Sequence, residues 1–134
     1  MKTICLFKTI FLSSLLALGA VSSSSAQSEI TFKVNLTPQL EDSIYVPGRD
    51  RIYVKGNVFP LKGNKKVYLK DPAPADSIYE ATVDFPSSAN GEKLKYNYFI
   101  FTPQKKMKED TPRFIRLKKG ERELDALYFN SFAW

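Results

Sequence analysis

From Ile30 onward, apolar and polar residues alternate in short runs set apart by turn-forming residues. Ile30, Phe32, Val34 and Leu36 alternate with Thr31, Lys33 and Asn35, the period-two pattern of a half-buried strand. Arg51-Ile52-Tyr53-Val54-Lys55-Gly56 alternates in the same way, and its β-branched and aromatic residues favour extended backbone. Val67-Tyr68-Leu69 forms a short third run. Tyr79, Ala81, Val83 and Phe85 share one face of a fourth. In a fifth, Leu94, Tyr96, Tyr98 and Ile100 lie opposite Lys93, Lys95 and Asn97. Phe114 to Leu117 and Leu124 to Phe129 complete the set. Pro47-Gly48, Gly63-Asn64, Pro72-Ala73-Pro74, Pro86 to Gly91, Pro103, Pro112 and Lys119-Gly120 punctuate the runs. No segment carries a helical stripe. About seven strands at this spacing predict an all-β, antiparallel, immunoglobulin-like sandwich of two sheets.

The first 26 residues follow a different rule. Lys2 and Lys8 precede an apolar run from Ile10 to Val21, which ends in Ser22-Ser23-Ser24-Ser25-Ala26. This is the pattern of a secretory signal peptide cut after Ala26. The run is short for a bilayer-spanning helix. The expected domain is therefore residues 27–134, secreted or periplasmic, with no membrane span after cleavage. Cys5, the single cysteine, falls inside the signal, and the chain has no histidine. That composition excludes a histidine-based triad, a His-ligated metal and an internal disulfide. No cofactor and no metal are expected. Losing Lys2 and Lys8 takes the 20 basic residues to 18 against 14 acidic, a net charge of +4. Export and that mild charge argue against nucleic acid as a partner.

Four stretches, in order, resemble one family. Ile30-Thr31-Phe32-Lys33-Val34 is similar to the opening strand of the starch-binding modules, family 20 of the carbohydrate-binding modules. Ile52 to Val58, continuing through Leu61 and Gly63-Asn64, resembles their strand and leucine-glycine-asparagine loop. Tyr79 to Pro86 with Leu94 to Ile100 resembles their central hairpin, and Glu109 to Arg113 the segment before the penultimate strand. The ending Phe132-Ala133-Trp134 is also similar. The resemblance implies a non-catalytic, exported sandwich that binds starch or another α-glucan. In that family two tryptophans form the platform for glucose rings. Here Lys65 follows Gly63-Asn64 and Lys108 precedes Glu109 where those tryptophans stand, and Asn97-Tyr98 occupies a stretch that usually holds a lysine. The fold is thus expected to transfer and the usual starch site is not.

A glycan site with changed residues would draw on Phe59, Asn64, Lys65, Asn97, Lys108, Glu109 and Trp134. An aromatic ring covers the C–H face of a sugar, while amides and carboxylates bond its hydroxyls. Phe59 and Trp134 stand open between platform and core. Tyr68 and Phe101 are candidate platforms as well, but they adjoin apolar strand residues, which favours core packing. Asn57 is a further candidate for bonding hydroxyls. Two lysine groups, Lys62-Lys65-Lys66-Lys70 and Lys105-Lys106-Lys108, are expected either to be solvated surface or to meet in a cleft for an acidic polysaccharide. The alternative to glycan binding is a protein-interaction sandwich that uses the apolar tail Tyr128 to Trp134. Catalysis is the weakest reading. Glu109 and Asp110 are adjacent and so point to opposite faces, and Glu121-Arg122-Glu123 reads as a charged turn. Asn35-Leu36-Thr37 matches the N-glycan sequon. Asp-Ser-Ile occurs at 42–44 and 76–78, within a repeated Asp-Ser-Ile-Tyr, and matches a short O-glycan acceptor pattern of some exported bacterial proteins.

Overall fold

A computed structural model describes residues 27–131. The expected signal segment with its cleavage site, and Trp134, lie outside the described residues. The elements are β1 (Ser28–Asn35), a short helix α1 (Thr37–Glu41), β2 (Arg51–Gly56), β3 (Val67–Leu69), β4 (Ile78–Phe85), β5 (Lys93–Phe101), β6 (Lys106–Lys108), β7 (Arg113–Arg116), β8 (Gly120–Glu123) and β9 (Leu127–Tyr128). They form two sheets packed face to face. The first has the order β4-β1-β8, and β9 also pairs with β1. The second has the order β3-β2-β5-β6, and β7 also pairs with β5. Among the described residues, no helix is long and apolar enough to cross a membrane.

The alternation fixes which side of each strand is buried. Ile30, Phe32 and Val34 of β1 meet Ile52 and Val54 of β2, and Leu94, Tyr96, Tyr98 and Ile100 of β5, in one core. The Tyr98 hydroxyl donates to the Lys33 carbonyl at 3.0 Å and so ties one sheet to the other. Gly56 ends β2 because nothing larger fits there. A Cβ at that position would lie 2.9 Å from the Lys95 carbonyl oxygen and 3.0 Å from Leu94 Cδ1.

Four features differ from the sequence expectation. The sheets are not wholly antiparallel, since β8 and β9 run parallel to β1. Parallel pairing needs a crossover, and the chain makes it by passing from the second sheet back to the first. Glu121 to Glu123 is strand rather than turn; all four residues of β8 are exposed, so it has no apolar face to advertise it. Lys106–Lys108 pairs with β5 as an extra strand. The helix α1 carries a proline in its first turn, where no backbone donor is lost.

The repeated Asp-Ser-Ile-Tyr is also a structural echo. Ser43 and Ser77 both take positive φ, 56° and 72°. Tyr45 and Tyr79 meet edge to face, with ring centroids 5.3 Å apart. The sequon asparagine closes a local turn, its Oδ1 accepting from the Thr37 backbone amide at 2.9 Å and hydroxyl at 2.6 Å.

The core tyrosines set an alkaline limit. Burial pushes Tyr96 up to about 12 and Tyr98 well above the ordinary value of 10.0. A folded value above the unfolded one means that the neutral ring stabilises the fold. That stabilisation is whole below pH ~10 and is lost as pH climbs from ~10 towards 12. Tyr96 alone contributes on the order of 2 kcal/mol. The urea midpoint is expected to hold steady up to pH ~10 and fall steeply above it. A midpoint unchanged at pH ~12 would contradict the burial of these rings.

Candidate functional site

The strand register decides what the second sheet shows to solvent. Tyr68 pairs with Tyr53 across β3 and β2, Tyr53 with Phe99 across β2 and β5, and Phe99 with Lys108 across β5 and β6. These four residues form one row across the outer face. Neighbouring rows add Arg51, Phe101 and Lys106 on one side and Lys55, Asn97 and Lys95 on the other. Lys93, Phe114 and Arg116 extend the face through β7.

The rings form a connected set. Tyr53 and Phe99 lie parallel, 1° between planes and 5.1 Å between centroids. Tyr68 meets Tyr53 edge-on at 5.8 Å. Tyr53 is enclosed by these neighbours at 1% exposure, whereas Tyr68 is 39% and Phe101 52% exposed. Both of the latter therefore correct the core assignment made from sequence. Tyr68 is the middle residue of a three-residue strand whose two apolar neighbours take the inner side. Phe101 follows the buried Ile100 and so faces out.

Four of these rings have a cation beside them. The Arg51 guanidinium lies 4.9 Å from the Tyr68 centroid, and the Lys66 amine 5.5 Å from that of Tyr53. The Lys108 amine lies 5.9 Å from Phe99, and the Lys93 amine 4.7 Å from Phe114. Such contacts contribute roughly 0.5–1 kcal/mol where exposed. The outward positions of β2, β3, β5, β6 and β7 hold Arg51, Lys55, Lys93, Lys95, Lys106, Lys108 and Arg116 and not one carboxylate. Lys66 joins them from the end of β3. At the rim, Asp50 is engaged by Arg49 at 2.8 Å through both oxygens. That hydrogen bonding holds its carboxyl below the usual range.

The opposite face of the sandwich has the reverse character. Its outward positions on β1, β4 and β8 carry Glu29, Glu80, Asp84, Glu121 and Glu123, with Lys33 the cation among them. Partial burial, then the charges of Glu121 and Asp84, push the Glu29 carboxyl up. A modest net charge thus conceals two strongly polarised faces.

A hollow of about 410 Å³ opens on the basic face, lined by Arg49, Arg51, Tyr53, Lys66, Tyr68 and Phe101. Tyr68 and Arg51 form the ridge between it and a second hollow of about 580 Å³, which reaches Tyr45 and Tyr79.

No family model and no curated protein sequence matches the chain.

The residues singled out from sequence are dispersed by the fold. Lys108 joins the basic face. Asn64 and Lys65 are exposed in the 57–66 loop beyond the end of β2, where the Lys55 amine bonds the Gly63 carbonyl. Phe59 projects from the same loop at 69% exposure. Asn57 is occupied, its Oδ1 accepting from the Lys95 amide at 2.8 Å. Asn97 is buried, and its amide donates to the carbonyls of Glu109 and Thr111 at 3.3 Å.

Glu109 corrects the sequence reading most clearly. It is 1% exposed. Its Oε1 accepts from the Tyr98 amide at 3.1 Å and Arg113 Nε at 3.0 Å. Its Oε2 accepts from Arg113 Nη2 at 2.6 Å and the Asn130 amide at 2.8 Å. A carboxylate so engaged has no capacity left for a sugar hydroxyl. Burial opposes the charge of Arg113, yet the bonds and charge of Glu109 outweigh it and raise the guanidinium pKa.

Of the two alternatives for the lysine groups, the structure shows exposed surface. Lys66 and Lys108 lie at the β3 and β6 edges of one sheet, about three strand spacings of ~4.8 Å apart. They flank the aromatic strip and do not meet in a cleft. Sequence reasoning missed Tyr53, Phe99, Phe114 and Arg51 as surface-forming residues. The available signal was parity: Tyr53 alternates with Ile52 and Val54, and Phe99 keeps step with Lys93 and Lys95.

Proposed function

We propose that the chain is an exported, non-catalytic glycan-binding β-sandwich whose binding surface is the outer face of the second sheet. The observation that carries this reading is the aromatic strip of Tyr68, Tyr53, Phe99 and Phe101, set among cationic hydrogen-bond donors. The exposed rings of Tyr68 and Phe101 offer apolar surface to the C–H faces of a sugar chain, with the enclosed Tyr53 packed against Tyr68, and the surrounding amines and guanidinium groups bond the sugar oxygens. The likeness to starch-binding modules supports the class of ligand. It directs attention to the 57–66 loop, but there lysine stands in place of tryptophan and Glu109 is engaged internally.

The two locations are separated by a pair of single substitutions. Tyr68→Ala is expected to weaken glycan binding about tenfold, the equivalent of ~1.4 kcal/mol. Phe59→Ala is expected to change it by less than about twofold. Isothermal titration with a glycan that binds the parent chain reads both. Loss of binding in Phe59→Ala with full binding in Tyr68→Ala would return the site to the loop.

A further inference from the structure

We infer that the ligand of the basic face is an acidic polysaccharide, a chain of uronic-acid units, recognised by paired rings and cations. This rests on the reading that the outer face of the second sheet binds glycan. Charge comes first. Seven strand cations and Lys66 share a face whose strands hold no carboxylate. Within the described residues the ion pairs are Lys33–Glu123, Arg49–Asp50 and Arg113–Glu109, and none of them neutralises these eight. A neutral sugar chain gains nothing from such a field, whereas a polyanion is drawn to it and releases its counterions on binding.

The pairing of rings with cations then narrows the class. A uronic acid carries an apolar C–H face and a carboxylate on the same pyranose ring. Tyr68 with Arg51, Phe99 with Lys108, and Phe114 with Lys93 each offer an aromatic surface and a cation within 4.7–5.9 Å of its centre. One sugar unit can therefore contact a ring and place its carboxylate against the neighbouring cation. Tyr68, Phe101 and Phe114 are the rings open to solvent on this face, so an extended chain finds apolar contacts set among the cations. Single-stranded nucleic acid is the competing polyanion and serves as the control ligand.

Polygalacturonate and its methyl-esterified form share a backbone and differ in charge, so they are the decisive pair of probes. Titration of the folded chain is expected to give at least tenfold tighter binding to the free acid, with affinity falling steeply as salt rises from about 50 to 500 mM. The double variant Lys66→Gln/Lys108→Gln is expected to lose about tenfold for the free acid and distinctly less for the ester, which loses hydrogen bonds but no charge pairing. Equal affinity for both forms, insensitive to salt, would overturn the acidic-ligand inference and leave glycan binding standing. Tighter binding to single-stranded DNA than to polygalacturonate would overturn the inference and the glycan reading together. Silence toward both pectins, a starch oligosaccharide and a neutral β-glucan, by a chain shown to be folded, would do the same.

Discussion

Replacing Arg113 with methionine is expected to destabilise the fold by about 3–5 kcal/mol. The substitution strands Glu109, which is 1% exposed, without its cation. Four donors converge on that carboxylate, and two of them belong to Arg113. Arg113 also donates to the Tyr128 carbonyl at 3.0 Å and lies 4.9 Å from the Tyr98 ring. The pair therefore fastens the β6–β7 connection and the approach to the C-terminus onto the central strand β5. Removing both charges, as Glu109→Gln/Arg113→Met, is expected to recover part of the loss, because a neutral amide that still accepts from the Tyr98 or the Asn130 amide costs less than a buried unpaired ion. Urea unfolding of the two variants beside the parent measures this. A single variant within about 1 kcal/mol of the parent would mean that the ion pair does not hold the sheet edge.

Tyr53→Ala is expected to remove both stability and binding. The ring is almost wholly enclosed on what is formally the outer face, held by Phe99, Tyr68 and the Lys66 chain. Deleting it leaves a void that its neighbours only partly fill, a loss of about 3–5 kcal/mol for a large aromatic. Tyr68 and Phe99 lose the surface that orients them, so glycan affinity is expected to fall more than about tenfold even where the variant is fully folded. Tyr53→Phe keeps the ring and is expected to retain both properties. Titration well below each variant's unfolding midpoint separates the two effects. A folded Tyr53→Ala variant that binds as the parent does would show that the strip is not the binding surface.

Much of the architecture was legible because burial and alternation coincide. β1, β4 and β5 are long, and each turns every second residue toward the core, so their inner faces read directly from the sequence. The elements that escaped are those for which the two signals part. β8 is exposed throughout, and β6 places only Met107 inward between two exposed lysines. The helix α1 is five residues long, too short to repeat a helical stripe.

The site was less legible for a related reason. Tyr68 and Phe101 have apolar neighbours, which suggests core, yet alternation turns them outward. Glu109 looked available, because nothing local in the sequence announces a partner four residues on that is also buried. Most important, a net charge summed over the chain averages a face rich in lysine with a face rich in glutamate. Only the strand register separates them.

The central claim is that the outer face of the second sheet holds the ligand. Amide chemical-shift mapping of the isotope-labelled chain, titrated with polygalacturonate, tests it most directly. The account predicts shifts along Arg51–Gly56, Val67–Leu69, Lys93–Phe101 and Lys106–Lys108, strongest at Tyr68, Phe99 and Lys108. Shifts confined to the 57–66 loop, or to the acidic face of β1, β4 and β8, would contradict it.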